Sequence, residues 1–214
     1  MKVYKISCTN TRYLVDSDRE KMRKIVEFDF GAKSLKDKWD VMNFYIGNPK
    51  AKDSDFYNYG DALVFNQKAK DILHSIICHL GEYLPIEIEG IEKEYFMFNV
   101  LQICNCIDDE NSIYKFRKNG QYENVIGLKN VLENDKNSTI YLLHNGITYN
   151  LSKATTSLFM VSDHNGHITG PFCTEGVFPS ELEFYQLYKD NKLSGLEFEE
   201  MFLVGENYSD IIRK

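Results

Sequence analysis

Apolar residues recur at helical spacing after residue 66 and form the clearest pattern in the chain. They are Ala69, Ile72, Leu73, Ile76, Ile77 and Leu80. Because residues three and four apart share one face of a helix, this spacing predicts an amphipathic helix. Asn66 stands before it as a predicted N-cap, and Gly81 stands after it as the predicted helix end.

Short apolar and alternating segments on both sides of this helix predict strands. The run "LVF" precedes Asn66, and "EYLPIEI" follows Gly81 with apolar and polar residues in alternation. Pro85 in the second segment fits a strand edge or a bulge, because proline has no N–H to give to a ladder. Glu89 and Gly90 then predict a turn into a third strand, so a β-hairpin follows the helix.

A second unit of the same kind is predicted near the C-terminus, in "VFPSELEFYQLYKDNKLSGLEFEEMF". Ser180 and Glu183 have the spacing of a capping box, in which each side chain bonds to a backbone N–H beside the other residue. Gly195 follows as the predicted helix end, before another alternating strand. The two units share the distance from cap to glycine and a preceding Val-Phe, so we predict a repeated architecture, with duplication as a hypothesis.

The remaining pattern predicts antiparallel strands. The N-terminal candidates are "KVYKIS", "RYLVD" and "KIVEFDF", with a turn at Gly31, and the central ones are "SIYKFR", "TIYLLHNGITYNL" and "TSLFMVSDHNGHITG". Asn-Gly steps at Asn145 and Asn165 favour tight hairpin turns. Two amphipathic helices in similar strand–helix–strand units, with mostly antiparallel sheets and no regular βαβ alternation, predict an α+β fold.

The segment "GNPKAKDSDFYNYGD", residues 47–61, has the composition of a long loop but carries Phe56, Tyr57 and Tyr59. Aromatic residues in a loop either pin it to the core or contact a partner. Since large exposed apolar patches are uncommon on monomers, pinning is favoured. We assign residues 1–60, a β-rich segment and loop, to the same domain as residues 61–214.

Composition and charge narrow the classes of function. The chain has 214 residues, is 43% hydrophobic, and carries 32 acidic against 25 basic residues, for a formal charge of −7. A net negative field repels nucleic acid and favours a partner with a basic surface. The sequence shows no export signal, and its longest apolar run is far short of the roughly 20 residues that span a bilayer. With five dispersed cysteines, reduced thiols in the cytoplasm are the simplest interpretation.

The run "NVLQICNCIDDENS", residues 99–112, could hold a metal, a redox pair or an acidic active-site edge. Read as one strand from residue 94 to residue 107, it is apolar on both faces, which predicts a strand covered on both sides. Cys104 and Cys106 are then small core side chains, because Cys-x-Cys without a second pair supplies only two zinc ligands. Asp108, Asp109 and Glu110 fit a solvated acidic turn, or a contact for a basic partner, and lack the ligand alternation of a calcium loop.

Other signatures of catalysis are weak. His164 and His167 flank the predicted hairpin tip at Asn165, which favours solvent-exposed neighbours over metal ligands. The sequence contains no phosphate-binding glycine loop and no G-x-S-x-G elbow. An enzyme is therefore unsupported, although a site assembled from distant residues stays open. We predict no cofactor and no metal.

Two segments of the chain form a recognisable pattern: "LVFNQKAKDIL…GEYLPIEIEG…EYFMFNVLQICNCIDDENS" and "ELEFYQLYKDNKLSGLEFEEM". Together they resemble the immunity proteins of bacterial polymorphic toxin systems, the group typified by a myxobacterial immunity domain. The matching positions are Val64, Asn66, Leu84, Pro85, Ile86, Asn99, Val100, Leu101, Asp108, Ser112, Gly195, Leu196 and Phe198. Asn66 replaces the usual Ser of the group, and both residues can cap a helix. Residues 1–60 and 113–175 match nothing in the pattern.

The resemblance implies a non-catalytic protein that binds and neutralises a cognate toxin domain in interbacterial competition. Such a protein needs tight and fast binding, which an acidic, aromatic-rich surface gives against a basic toxin. The candidate surface is Phe56, Tyr57 and Tyr59 with Asp108, Asp109 and Glu110. Two alternatives stay open: an enzyme that uses Cys104, His164 and His167, and a scaffolding module with another protein partner.

Overall fold

The computed structural model describes residues 2–9, 13–18, 20, 33–59, 62–104, 114–116, 122–125, 141–144, 147–150, 156–162 and 168–201. Its strands are β1 (Lys2–Cys8), β2 (Leu14–Asp16), β3 (Met42–Ile46), β4 (Phe56–Tyr59), β5 (Ala62–Asn66), β6 (Gly81–Ile88), β7 (Ile91–Val100), β8 (Ile103–Cys104), β9 (Tyr114–Phe116), β10 (Tyr122–Val125), β11 (Tyr141–His144), β12 (Ile147–Asn150), β13 (Leu158–Ser162), β14 (Ile168–Glu175) and β15 (Leu196–Met201). The helices are α1 (Gln67–Ile77) and α2 (Phe184–Asp190), with 3-10 turns at Lys36–Lys38 and Ser180–Leu182.

The strands form two larger sheets. One has the order β2-β3-β6-β7-β5-β4, the other has the order β15-β1-β14-β13-β8, and the pairs β9–β10 and β11–β12 stand apart as two-stranded ribbons. Most neighbours are antiparallel, while β3–β6 and β8–β13 are parallel. The α+β fold predicted from the sequence is confirmed. Among the described residues, no helix is long and apolar enough to cross a membrane.

Strands of the first sixty residues are hydrogen-bonded into both larger sheets. β1 lies between β14 and β15, β3 lies beside β6, and β4 lies beside β5. The predicted strand "KVYKIS" is confirmed as β1, and "RYLVD" is confirmed in part as β2. The predicted strand "KIVEFDF" and the turn at Gly31 lie outside the described residues.

Strand β7 separates two hydrophobic cores. Phe96, Phe98 and Val100 pack with α1, α2 and the five-stranded sheet, whereas Tyr95 and Met97 pack into the core on the opposite face. The prediction that this segment is covered on both sides is therefore confirmed as far as Val100.

The prediction of one continuous strand from residue 94 to residue 107 is wrong. β7 ends at Val100, and the backbone N–H groups of Leu101 and Gln102 both donate to the Leu80 carbonyl, at 2.8 and 3.0 Å. Because both amides donate to the same carbonyl, the hydrogen-bond ladder between β6 and β7 does not continue past Val100. The next strand, β8, pairs instead with β13 of the five-stranded sheet. Residues 105–107 lie outside the described part of the chain.

Helix α1 begins as predicted and ends earlier than predicted. The Asn66 side chain accepts a hydrogen bond from Ala69 N at 3.0 Å, which confirms the N-cap. The helix ends at Ile77, and Gly81 is instead the first residue of β6. A Cβ at Gly81 would lie 2.2 Å from the Asn99 carbonyl oxygen, so this glycine permits close approach of two strands.

The capping box predicted for the second helix is wrong. α2 starts at Phe184 without a side-chain cap, after the 3-10 turn that contains Ser180. The Glu183 carboxylate accepts instead from three backbone N–H groups, those of Gly176, Val177 and Phe178, at 2.7 to 3.0 Å. Three converging donors outweigh a single cap amide. The predicted strand at Val177 and Phe178 is also absent, since β14 ends at Glu175.

Candidate functional site

The aromatic residues of the predicted binding surface lie in a strand and not in a loop. Phe56, Tyr57 and Tyr59 belong to β4, and Phe56 and Tyr57 are 1% and 0% exposed. Phe56 and Tyr57 cannot contact a partner, because each is enclosed in one of the two cores. Tyr59 is half-buried. The alternative that these aromatics pin the segment to the core is the correct one for Phe56 and Tyr57. Asp108, Asp109 and Glu110 lie outside the described residues.

Tyr57 also has a polar role within the fold. Its hydroxyl donates to the Asp53 carboxylate and lies 3.2 Å from the Tyr95 hydroxyl. Burial, and then the hydrogen bond to Asp53, raise the pKa of Tyr57 well above its usual range. Tyr57 therefore stays protonated and positions Asp53 from inside the protein.

The outer half of the six-stranded sheet presents a second, exposed surface. Alternation along β3 and β6 sends Met42, Phe44, Ile86 and Ile88 into the core. The residues between them point to the opposite face, where Asn43 is paired with Glu87 and Tyr45 is paired with Val15 of β2. Tyr45 is 44% exposed, which is unusual for a tyrosine in a sheet interior.

Helix α1 covers the neighbouring part of the same face. It packs on β5 and β7, and Lys70 places its ammonium 3.8 Å from the centre of the Phe96 ring. Phe96 is paired with Pro85, so the helix reaches the middle of β6. Beyond Pro85, towards the turn at Gly90, Glu87 and Glu89 are exposed, whereas Ile86 and Ile88 stay buried on the opposite face.

This exposed surface is acidic and concave. A hollow of about 640 Å³ lies on it and is lined by Ser17, Asn43 and residues 86–94. We call this surface the hairpin face and define it by Asn43, Tyr45, Glu87, Glu89, Glu92 and Glu94. Lys93 is the basic residue in the lining, and its ammonium lies 3.9 Å from the Asp53 carboxylate. The hairpin face therefore carries a net negative charge.

The sequence contained a signal for the hairpin face. In "IEIEGIEKE", residues 86–94, isoleucine alternates with glutamate on both sides of Gly90. This period of two predicts one apolar and one acidic face for a hairpin. The sequence reasoning predicted only a hairpin here and missed its acidic face, because the glutamates are dispersed over two strands whereas the acids at residues 108–110 are consecutive.

A second, smaller hollow of about 430 Å³ adjoins the hairpin face, and Lys93 and Glu94 line both hollows. Asp55 lies in its wall and is 8% exposed. Its carboxylate accepts from Lys68 Nζ at 3.1 and 3.2 Å, from Asn66 Nδ2 at 3.3 Å, and from the N–H and hydroxyl of Ser194 at 3.0 Å each. Burial raises the pKa of the Asp55 carboxyl, but the hydrogen bonds from Lys68, Ser194 and Asn66 outweigh burial and lower it overall.

Asp55 is therefore a structural residue. Its acceptor sites are occupied by the protein itself, so the carboxylate has little capacity for a ligand. Glu82 has a similar role on the other side of the sheet, where it accepts from Leu35 N at 2.6 Å, from Ser34 Oγ at 2.6 Å and from Asn99 Nδ2 at 2.8 Å. These bonds hold residues 34–35 over the second core.

The thiols do not form a reactive centre among the described residues. Cys8, Cys104 and Cys173 are buried and Cys78 is exposed. The interpretation of Cys104 as a core residue is confirmed, whereas Cys106, His164 and His167 lie outside the described residues. Burial raises the pKa of Cys8 to about 12, which keeps its thiol protonated. The described residues contain no group of three or more His, Cys, Asp or Glu side chains that could hold a metal ion.

No family model matches the chain, and no curated protein is significantly similar to it.

Proposed function

We propose that this protein is a bacterial immunity protein, which binds and neutralises a cognate toxin domain in the cytoplasm without catalysis. The proposal rests on the resemblance to immunity proteins of polymorphic toxin systems. One observation supports it above the others: several of the described residues that carry the resemblance have definite structural roles, as expected for a pattern that specifies a scaffold.

Three residues illustrate these roles. Asn66 caps α1, and Asn99, which is fully buried, donates to Glu82 Oε1 at 2.8 Å and to the Lys33 carbonyl at 2.9 Å. Gly195 has a φ of +103°, and a Cβ there would lie 2.3 Å from the Phe56 carbonyl oxygen. At each position a physical reason favours the residue type present.

Five apolar positions of the resemblance lie in the two cores. Val64, Leu84 and Ile86 pack in the core beneath β3 and β6, while Val100 and Leu196 pack in the core that contains the helices. None of these side chains is available to a partner. In this proposal the residues of the shared pattern stabilise the fold, and residues outside the pattern determine which toxin is bound.

Charge supports the choice of partner. With a formal charge of −7, the protein attracts a basic toxin domain and associates with it faster than a neutral protein would. Fast association suits this role, because a toxin that enters the cell must be bound before it acts.

The proposal expects a toxin-bearing reading frame immediately upstream of the gene, and the test is co-expression with the toxin domain of that frame. Bacteria that express this toxin domain alone should stop growing, and co-expression of the 214-residue chain should restore growth. The two proteins should also co-purify as a complex of fixed stoichiometry. If the chain neither rescues growth nor binds the toxin domain, the proposal is wrong.

A mass measurement separates binding from catalysis. Toxin released from the complex by denaturation and then refolded should have its original mass and regain its toxicity. A permanent change in the mass of the toxin, or loss of toxicity at a small fraction of one equivalent, would instead show that the protein acts as an enzyme.

A further inference from the structure

We propose that the hairpin face is the surface on which the toxin domain binds, and that the surface it meets is a basic one with a recess for Tyr45. This inference rests on the proposed function and adds the location and chemistry of the interface. It assigns the contact to Tyr45, Glu87, Glu89 and Glu92, which are absent from the surface predicted from sequence.

The first argument is the difference between the acidic side chains. Asp55, Glu82 and Glu183 are each engaged by hydrogen bonds within the protein, so their charges serve the fold. The carboxylates of Glu87, Glu89 and Glu92 are exposed and take part in no hydrogen bond or ion pair within the described part of the chain. Three such carboxylates on adjacent positions of one hairpin repel each other, and a cationic partner removes this repulsion.

The second argument is the aromatic residue beside them. Tyr45 lies in β3 between Val15 of β2 and the backbone at Glu89, whose N–H donates to the Phe44 carbonyl at 2.8 Å. Because strands on both sides hold its backbone, Tyr45 loses little conformational freedom when it is buried by a partner. Tyr45 is thus an exposed aromatic residue held in a strand, on the same face of the sheet as Asn43 and Glu87, and tyrosine is among the residue types enriched at interface hot spots.

The third argument concerns the occupant. A second copy of this chain would bring two acidic faces together, and nucleic acid would bring phosphates against glutamates, so both are repelled. A basic protein surface compensates the glutamates and offers arginine or lysine side chains to the hollow of about 640 Å³. The charges of the hairpin face therefore favour a basic protein.

The test measures binding of the upstream-encoded toxin domain to charge variants of the full chain. In the test variant, Glu87→Lys and Glu92→Lys are combined. In the matched control, Glu197→Lys and Glu199→Lys are combined, because these exposed residues of β15 give the same change of net charge on the other sheet. Association and dissociation rates are measured at low and at physiological salt, and thermal unfolding establishes that each variant is folded.

We expect the Glu87/Glu92 variant to associate at least about 10-fold more slowly at low salt and to lose most of the salt dependence of association. The control should stay within about threefold of the wild type, since it alters only the long-range field. Tyr45→Ala should raise the dissociation rate at least about 10-fold with little effect on association, as expected for a buried anchor.

Carbodiimide crosslinking of the wild-type complex gives a second measurement that needs no variant. Crosslinks from Glu87, Glu89 or Glu92 to toxin lysines are expected. If the wild type binds the toxin but the Glu87/Glu92 variant, Tyr45→Ala and the control all bind equally well, the hairpin face is not the interface and the proposed function still stands. If the wild type does not bind the toxin, both proposals are wrong.

Discussion

Asp55 and Ser194, which are 139 residues apart in the sequence, bind each other through both backbone and side chain. Asp55 N donates to the Ser194 carbonyl and hydroxyl oxygens at 3.1 Å each, and Ser194 returns two bonds of 3.0 Å from its N–H and its hydroxyl to Asp55 Oδ2. Asp55 precedes β4 and Ser194 precedes β15, so these bonds join the edge of one sheet to the segment that enters the other.

Replacing Asp55 tests the importance of this connection. Asp55→Ala should lower the free energy of unfolding by about 2 to 3 kcal/mol, because it removes several hydrogen bonds and leaves their donors without partners. Urea denaturation measures this change. Asp190→Ala is the control, since Asp190 is exposed and, within the described part of the chain, its carboxylate accepts only from Gln186 one helical turn away. This substitution should cost about 0.5 kcal/mol or less. Equal effects of the two substitutions would contradict the structural role of Asp55.

Two glycines with positive φ allow conformation and steric contact to be separated. Gly195→Ala should cost more than about 3 kcal/mol or prevent folding, because its φ is +103° and its Cβ would meet the Phe56 backbone. Gly90→Ala should cost only about 1 kcal/mol, since Gly90 has a φ of +75° but nothing within 4 Å of its added Cβ. Thermal and urea unfolding of both variants give the comparison, and a Gly195→Ala variant as stable as Gly90→Ala would argue against the close approach.

The free energy of unfolding should fall at acidic pH because of Glu82 and Asp55. Burial raises the pKa of Glu82, but hydrogen bonds from Leu35, Ser34 and Asn99 lower it overall. A carboxyl with a lower pKa in the folded state stabilises the protein above its unfolded pKa, and this stabilisation is lost as pH falls through the folded pKa. The ordinary values are 4.5 for Glu82 and 3.8 for Asp55, so stability should decline below about pH 5.

Glu82→Gln tests how much Glu82 contributes to this loss of stability at acidic pH. The variant should be less stable at neutral pH and should lose less stability than the wild type between about pH 5 and pH 3. Urea midpoints across this range measure the slope. Glu197→Gln, which removes an exposed carboxyl on β15, should keep the wild-type slope.

Thiol labelling should distinguish the cysteines by burial. In the native protein Cys78 should react fast with a maleimide near neutral pH, whereas Cys8 and Cys173 should react only after unfolding, because burial raises the pKa of both thiols. Peptide mass mapping assigns each site, and Cys78→Ser should remove the reaction at that position. Fast labelling of Cys104 in the native state would instead support the enzyme alternative.

The burial of Phe56 leads to a prediction that separates stability from binding. Phe56→Ala should cost about 3 to 5 kcal/mol, because it removes a ring packed against Phe65 at 5.3 Å and Phe184 at 6.5 Å between centroids. Measured on folded protein, its affinity for the toxin should equal that of the wild type. Weaker affinity for the toxin without loss of stability would indicate that Phe56 contacts the toxin, as the sequence analysis proposed.

Local sequence patterns predicted the elements whose partners lie close in the chain. Helical spacing and the cap at Asn66 predicted α1, and alternation with Glu89-Gly90 predicted the β6–β7 hairpin, because side-chain periodicity and turn conformation depend on neighbouring residues. The same reasoning failed at Glu183, where the donors at residues 176–178 competed with the expected cap. A carboxylate binds whichever N–H groups the fold brings near it.

Composition and periodicity were enough to predict an α+β protein with an acidic surface, a capped amphipathic helix and a strand covered on both faces, because both record burial directly. The burial of Phe56 and Tyr57, and the exposure of Tyr45 on the same face of the sheet as Glu87, follow from the tertiary structure alone. These outcomes depend on which strands become neighbours and where α1 stops covering the sheet. Contacts between residues distant in the chain set both, and no local pattern encodes them.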